Sequence, residues 1–183
     1  MDNFATLIGY HGCERSLALE VLSGEKELNL STNDYDWLGE GIYFWANDAQ
    51  RALQWAKTKK EPFVLGAVIR CSNILDFTTQ EARIATKKAY DSLSEIYAGN
   101  NIPLPKNKPV AKTDIDLKNR KLDCLVMNHL QKTSSFDAFI APFWEGKAIY
   151  DGAMFRESTH IQIAVKNPKS ILGYFIPKEL KLK

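Results

Sequence analysis

The run Gly41-Ile42-Tyr43-Phe44-Trp45 constrains the local fold most strongly. β-Branched and aromatic side chains favour a half-buried pleated strand. Asn47-Asp48-Ala49-Gln50 follows at once, with Asn47 at the N-cap and Gln50 three residues on, a capping-box pattern. Ala49, Ala52, Leu53 and Ala56 then recur at helical spacing. A strand thus runs straight into a helix.

Around this pair the chain repeats both patterns. Leu7 to Gly12 reads as a strand ending in a tight turn, and Ser16 to Leu22 as a helix stopped by Gly24. Pro62 to Cys71 reads as a strand. Thr78 and Glu81 mark a capping box, behind which Ala82, Ala85, Ala89, Leu93 and Ile96 share one helix face ending at Gly99. A helix is expected over about Asp116–Gln131, and strands over Ala138–Phe143, His160–Val165 and Ile171–Ile176. Strands and helices alternate without strict βαβ order, so the expected class is α+β. The length of 183 residues fits one domain.

Composition excludes several classes. Hydrophobic residues make up 45% and charged residues 25%, ordinary for a globular chain. The formal charge of +2 argues against a uniformly basic nucleic-acid coat. Cys13, Cys71 and Cys124 are odd in number and widely spaced, which suits neither a disulfide framework nor a Cys-x-x-Cys site. Cys13 has no basic partner in sequence and is not expected to act as a nucleophile. The longest apolar stretch, Phe63 to Ile69, is far short of a membrane span, and the acidic N-terminus resembles no signal peptide. A cytoplasmic protein is expected. Nucleotide-binding glycine fingerprints, a Walker lysine, His-Glu-x-x-His and Gly-x-Ser-x-Gly are all missing. His11, His129 and His160 are too scattered for an all-histidine metal site, so no metal is expected.

One segment departs from this neutral average. Between Lys106 and Lys121 six basic residues meet two acidic ones, a net of +4. It reads equally as a solvated loop or as a phosphate-contacting lobe.

Three polar clusters remain: Tyr10-His11-Gly12, the run Tyr35 to Trp45, and Arg156 to Val165. Singly, each suits a structural role. In this order they resemble the NAD-binding core of the histidine–tyrosine–glutamate ADP-ribosyltransferases, the class of diphtheria toxin and the poly(ADP-ribose) polymerases. The resemblance covers residues 7 to 56 well, is weaker over 155 to 176, and is lost between 75 and 150. It implies a single domain over 1–183 with a split β-sheet core, flanking helices and an insertion at about 78–135. Tyr-Asp-Trp-Leu-Gly-x-Gly-Ile-Tyr-Phe-Trp is also similar to a group of small bacterial proteins associated with toxin–antitoxin or phage-defence transferases, some of which modify RNA.

The resemblance implies roles. Tyr43 would stack on the cationic nicotinamide of NAD, with Tyr35 or Trp37 covering it. The Gly12 backbone would approach the nicotinamide amide, and His11 would bind the adenosine ribose hydroxyls. Arg15 is a candidate for the diphosphate, or a solvent-facing helix residue. The late-strand glutamate of the family falls on Gln162, which carries no charge and cannot act as a base. The catalytic acid is then Glu157, five residues earlier, or is absent, with Gln162 orienting the ribose. The implied activity is mono-ADP-ribosyl transfer to a macromolecule, nucleic acid (messenger RNA included) ahead of protein, with an antitoxin as partner. An inactive NAD- or ADP-ribose-binding module and a nucleic-acid-binding protein without cofactor are the other readings. Trp55 and Trp144 are expected in the core, and His160 is expected to serve packing or a structural hydrogen bond.

Overall fold

The computed structural model describes residues 4–112 and 116–178. Its fold is α+β: a seven-stranded mixed sheet with four α-helices. The strands are β1 (Ala5–Glu14), β2 (Ile42–Ala46), β3 (Pro62–Cys71), β4 (Ile74–Asp76), β5 (Ala138–Phe143), β6 (His160–Val165) and β7 (Ile171–Phe175). The helices are α1 (Arg15–Leu22), α2 (Ala49–Ala56), α3 (Gln80–Gly99) and α4 (Lys121–Thr133). The sheet order is β4-β5-β6-β2-β1-β3-β7, antiparallel except for the β4–β5 pair. Among the described residues no helix is long and apolar enough to cross a membrane.

The period-2 pattern sorts the side chains into two cores. Ile42, Phe44, Ile163 and Val165 pack with Ala18 and Val21 of α1 on one face. Ala164 and Phe139 join Ala82, Ala89 and Leu93 of α3 and Val126, Met127 and Leu130 of α4 on the other. Each set is apolar at alternate strand positions, so a one-residue slip would exchange the faces.

Several local expectations are corrected by tertiary contacts. The strand read over Leu7–Gly12 continues to Glu14, with Gly12 paired to Val64 instead of turning. A Cβ at Gly12 would lie 2.3 Å from the Ala52 carbonyl oxygen, so the absent side chain admits α2 against the sheet. Both N-caps fall one residue later than the capping boxes suggested. Asp48 Oδ1 accepts from Arg51 N at 2.8 Å, and Thr79 Oγ1 from Ala82 N at 3.2 Å. Asn47, at φ 54°, instead makes the left-handed turn between β2 and α2. Helix α4 starts at Lys121, not Asp116. Its first turn is capped from afar by Asn107 Oδ1, which accepts from Leu122 N at 2.9 Å and Asp123 N at 3.2 Å. Ile96 is 49% exposed and leaves the helix face assigned to it.

Candidate functional site

β1 and β2 are hydrogen-bonded neighbours at only two registered positions, Gly9 with Ala46 and Tyr10 with Trp45. Beyond them the strands part, although β1 remains paired to β3 along its whole length. The parting opens a cleft of about 420 Å³, a size typical of small-molecule sites. His11 and Gly12 of β1, Tyr43 and Trp45 of β2, and Gln162 of β6 line it. Tyr35 and Trp37 line it from the loop before β2, together with Asp36, Arg51, Trp55, Lys118 and Glu145.

The register explains the convergence. Trp45 lies opposite Gln162 and Tyr43 opposite Ala164, so Tyr43, Trp45 and Gln162 share a sheet face. His11 reaches the same cleft through the gap between the strands. Its Nδ1 donates to the Tyr43 carbonyl oxygen at 2.8 Å, which leaves Nε2 as the ring's acceptor.

Tyr43 also anchors the loop in front of it. Its O–H donates to the Gly39 carbonyl at 2.6 Å, and its oxygen accepts from Leu38 N at 2.9 Å. Burial pushes the phenol well above its ordinary range, so Tyr43 offers a neutral ring and no base. The Lys166 amine, which burial pushes down to about 7, donates to the carbonyls of Leu38 and Glu40 from the other side. Asn128 Oδ1 of α4 accepts from Glu40 N at 2.7 Å, and Trp37 Nε1 donates to the Lys118 carbonyl at 2.9 Å. Lys118 lines the cleft, and it and Asn128 brace the loop that carries Trp37.

Gly39 occupies a tight place in that loop. Its φ is +72°, and an added Cβ would lie 2.3 Å from Asn128 Oδ1. Gly39→Ala is expected to destabilise by about 1–2 kcal/mol for the left-handed backbone alone, and further by displacing Asn128. Urea unfolding measures this; an unchanged midpoint would show that the loop tolerates the methyl group.

The acids and cations are placed differently from the expectation. Glu157 is exposed and outside the cleft. β6 begins only at His160, and Glu157 N donates to the Lys147 carbonyl within the β5–β6 loop. Arg15 is exposed at the start of α1 and also lies outside. The carboxylate and guanidinium that sequence reading missed are Glu145 and Arg51, joined at 2.8 Å. Lys118 meets the other Glu145 oxygen at 3.1 Å. Burial opposes the charge on Glu145, but the hydrogen bonds and charges of Lys118 and Arg51 outweigh it and lower its pKa. No spacing signal links positions 51, 118 and 145, although the acid follows strand β5 closely enough to lie at a strand end.

The basic segment is partly consumed inside the fold. Lys118 holds Glu145, Lys121 holds Asp34 at 2.5 Å, and the Arg120 guanidinium lies 4.0 Å from the Trp37 ring centre. Lys106, Lys108 and Lys112 are exposed. Trp55 and Trp144, expected in the core, are 42% and 62% exposed. Trp55 instead packs beside Trp45, with ring centres 6.1 Å apart. The three cysteines are buried free thiols, and burial raises each to about 11.

His11 and His160 both have pKa values lowered chiefly by burial, partly offset by their carbonyl hydrogen bonds. The unfolded chain takes up these protons near pH 6.5 and the folded chain resists them. Their contribution to stability is therefore complete above about pH 6.5 and is lost as the pH falls below it. Urea midpoints are expected to drop from about pH 7 to about pH 5, with a shallower drop in His160→Gln. Equal midpoints across that range would refute buried neutral imidazoles.

Fold and site together define an α+β protein whose seven-stranded sheet holds an aromatic, cation-bearing cleft where β1 and β2 part. No family model matches the chain, and no curated protein or solved structure matches it.

Proposed function

We propose that the chain is a mono-ADP-ribosyltransferase of the histidine–tyrosine–glutamate class that uses NAD as substrate. The observation that carries this reading is the shared cleft: His11, Gly12, Tyr43 and Gln162, from three strands, line one cavity where the sheet parts. The fit to NAD rests on the donor set. Trp45 Nε1, Arg51 Nε and Gln162 Oε1, all in cleft-lining residues, are buried without hydrogen-bond partners. Orphaned groups of both polarities suit a ligand carrying phosphates and sugar hydroxyls.

In this reading the nicotinamide cation stacks on Tyr43, with Tyr35 or Trp37 above it. The Gly12 backbone meets the nicotinamide amide. His11 Nε2 accepts from a ribose hydroxyl, and Gln162 holds a hydroxyl of the nicotinamide ribose. Arg51 and Lys118, held at the cleft by Glu145, replace Arg15 as the diphosphate partners. The glycosidic C–N bond breaks and its electron pair leaves with nicotinamide, through an oxocarbenium-like transition state. The acceptor nucleophile then bonds to the ribose carbon and passes its proton to bulk water. Glu145, paired with Arg51 and Lys118, supplies an ionised acid to the cleft, whereas Gln162 is neutral. The absence of a glutamate at 162 suits single transfer over chain elongation.

Nucleic acid, messenger RNA included, is the favoured acceptor class. Lys118 lines the cleft, and Lys106, Lys108 and Lys112 extend the same segment in solvent. A toxin role in a toxin–antitoxin or phage-defence system, in the cytoplasm, completes the proposal. A second reading, an inactive NAD- or ADP-ribose-binding module, draws support from the uncharged Gln162.

Incubation with radiolabelled NAD and a cell lysate, followed by nuclease or protease digestion, separates the readings. Nuclease-sensitive label with free nicotinamide is the expected result. Protease-sensitive label would move the acceptor to protein. Neither label nor nicotinamide, with NAD raising the melting temperature by mass action, would leave the binding module. Salt-sensitive RNA binding indifferent to NAD would leave a nucleic-acid-binding protein.

A further inference from the structure

Gln162 follows His160 by two residues on β6, so both side chains point to one face. The His160 side chain is fully buried. Its Nδ1 lies 2.7 Å from the Ser158 carbonyl oxygen, and its Nε2 lies 3.1 Å from Gln162 Nε2. A carbonyl only accepts, so Nδ1 carries the proton. Nε2 of a neutral ring is then a bare acceptor, and the Gln162 amide must turn its NH₂ toward it. The carbonyl Oε1 of Gln162 is left over, buried and without a partner, in a side chain that lines the cleft. An acceptor in that state calls for a donor, which a bound hydroxyl or an ordered water supplies.

We propose that His160 is a positioning residue: its Nδ1–H tautomer fixes the Gln162 amide so that the cleft offers a ligand hydroxyl an acceptor and not an NH₂. The function assigned to that hydroxyl rests on the reading of the cleft as a ribose site; the amide orientation does not.

The surroundings of the ring favour this state at neutral pH. Glu145 Oε2 lies 4.0 Å from Nδ1 across the β5–β6 loop. Arg51 and Asp48, at the start of α2, act on the ring with opposite signs. Trp37 and Phe143 pack beside it, with ring centres 6.1 Å and 5.8 Å away. Burial is the largest influence and opposes a second proton. A second proton would place a donor at Nε2, and the Gln162 amide would have to turn over. The cleft would then present NH₂ to a hydroxyl, so acid reverses the polarity of this contact.

Two measurements on the full chain test this. The first needs no NAD. With ¹⁵N-labelled histidine, long-range ¹H–¹⁵N spectra near neutral pH are expected to show His160 protonated at Nδ1 and bare at Nε2, its signals assigned by their loss in His160→Gln. Gln162→Glu places a carboxylate against Nε2 and is expected to raise the His160 titration midpoint by at least about one pH unit; Gln162→Leu is not. A proton on Nε2 in the wild-type chain, or an unmoved midpoint in Gln162→Glu, would overturn the proposal.

The second measurement is nicotinamide release. His160→Gln supplies an amide carbonyl to receive the Gln162 NH₂ and is expected to keep kcat within about threefold while flattening the acid limb of its pH profile. His160→Phe keeps the ring volume without the acceptor and is expected to lower kcat about tenfold or more at unchanged KM for NAD. Equal loss in both variants, with the acid limb intact, would make His160 merely structural. A wild-type chain with the expected tautomer that releases no nicotinamide would support the amide orientation and refute the transferase reading instead.

Discussion

Tyr43→Ala is expected to lower NAD cleavage by about a hundredfold or more, while Tyr43→Phe keeps most of it. A desolvated cation over an aromatic ring is worth about 2 kcal/mol, and misplacing a reacting group by about 1 Å costs roughly a further hundredfold. Both losses follow removal of the ring. The phenol oxygen has a separate task. It bonds Gly39 O and Leu38 N and so fastens the loop that carries Tyr35 and Trp37. Tyr43→Phe orphans those two backbone groups and is expected to cost about 1–3 kcal/mol of stability. Nicotinamide release and urea unfolding, measured on both variants, separate the two tasks. Equal inactivity of Phe and Ala would mean that loop anchorage, and not stacking, governs the site.

Glu145→Ala is expected to give the largest loss of stability at the cleft. The Glu145 side chain is 11% exposed and that of Arg51 19%. Breaking such a pair leaves a guanidinium uncompensated in a largely dry setting, at about 3–5 kcal/mol. Lys118 is 42% exposed and adds little, because water screens it. At about 2–4 °C per kcal/mol for a domain of this size, the melting temperature is expected to fall by roughly 10 °C. Glu145→Gln still accepts one hydrogen bond from Arg51 and is expected to lose less. Calorimetry of the two variants decides it: a fall of under about 2 °C in Glu145→Ala would show that the ion pair contributes nothing net.

Much of this site could be read before any coordinates. Pro62–Cys71, Ala138–Phe143 and His160–Val165 form strands with the bounds their side chains imply. The Ile42–Ala46 strand passes into a helix as its aromatic run and the polar cap after it indicate. His11, Gly12, Tyr35, Trp37, Tyr43 and Gln162 all line the same cleft. The misses have a common cause. β4, only three residues long, was invisible because its pairing with β5 comes from far along the chain. The start of α4 was misplaced because its cap, Asn107, lies outside the local window. Glu157 was the nearest acid in sequence to Gln162, and Arg15 the nearest cation to His11, whereas the Arg51–Glu145–Lys118 group of the cleft comes from α2, from the loop after β5 and from the basic segment.

The order of side chains alone determined which stretches became strands and helices, and which strand side chains share a sheet face. Those properties depend on alternation and capping within a few residues. Folding decided where β1 and β2 part, which acid joins Arg51, and which way the Gln162 amide turns. Each of these depends on neighbours supplied by other elements, where burial strips water from charged and polar groups and makes one partner far better than the rest.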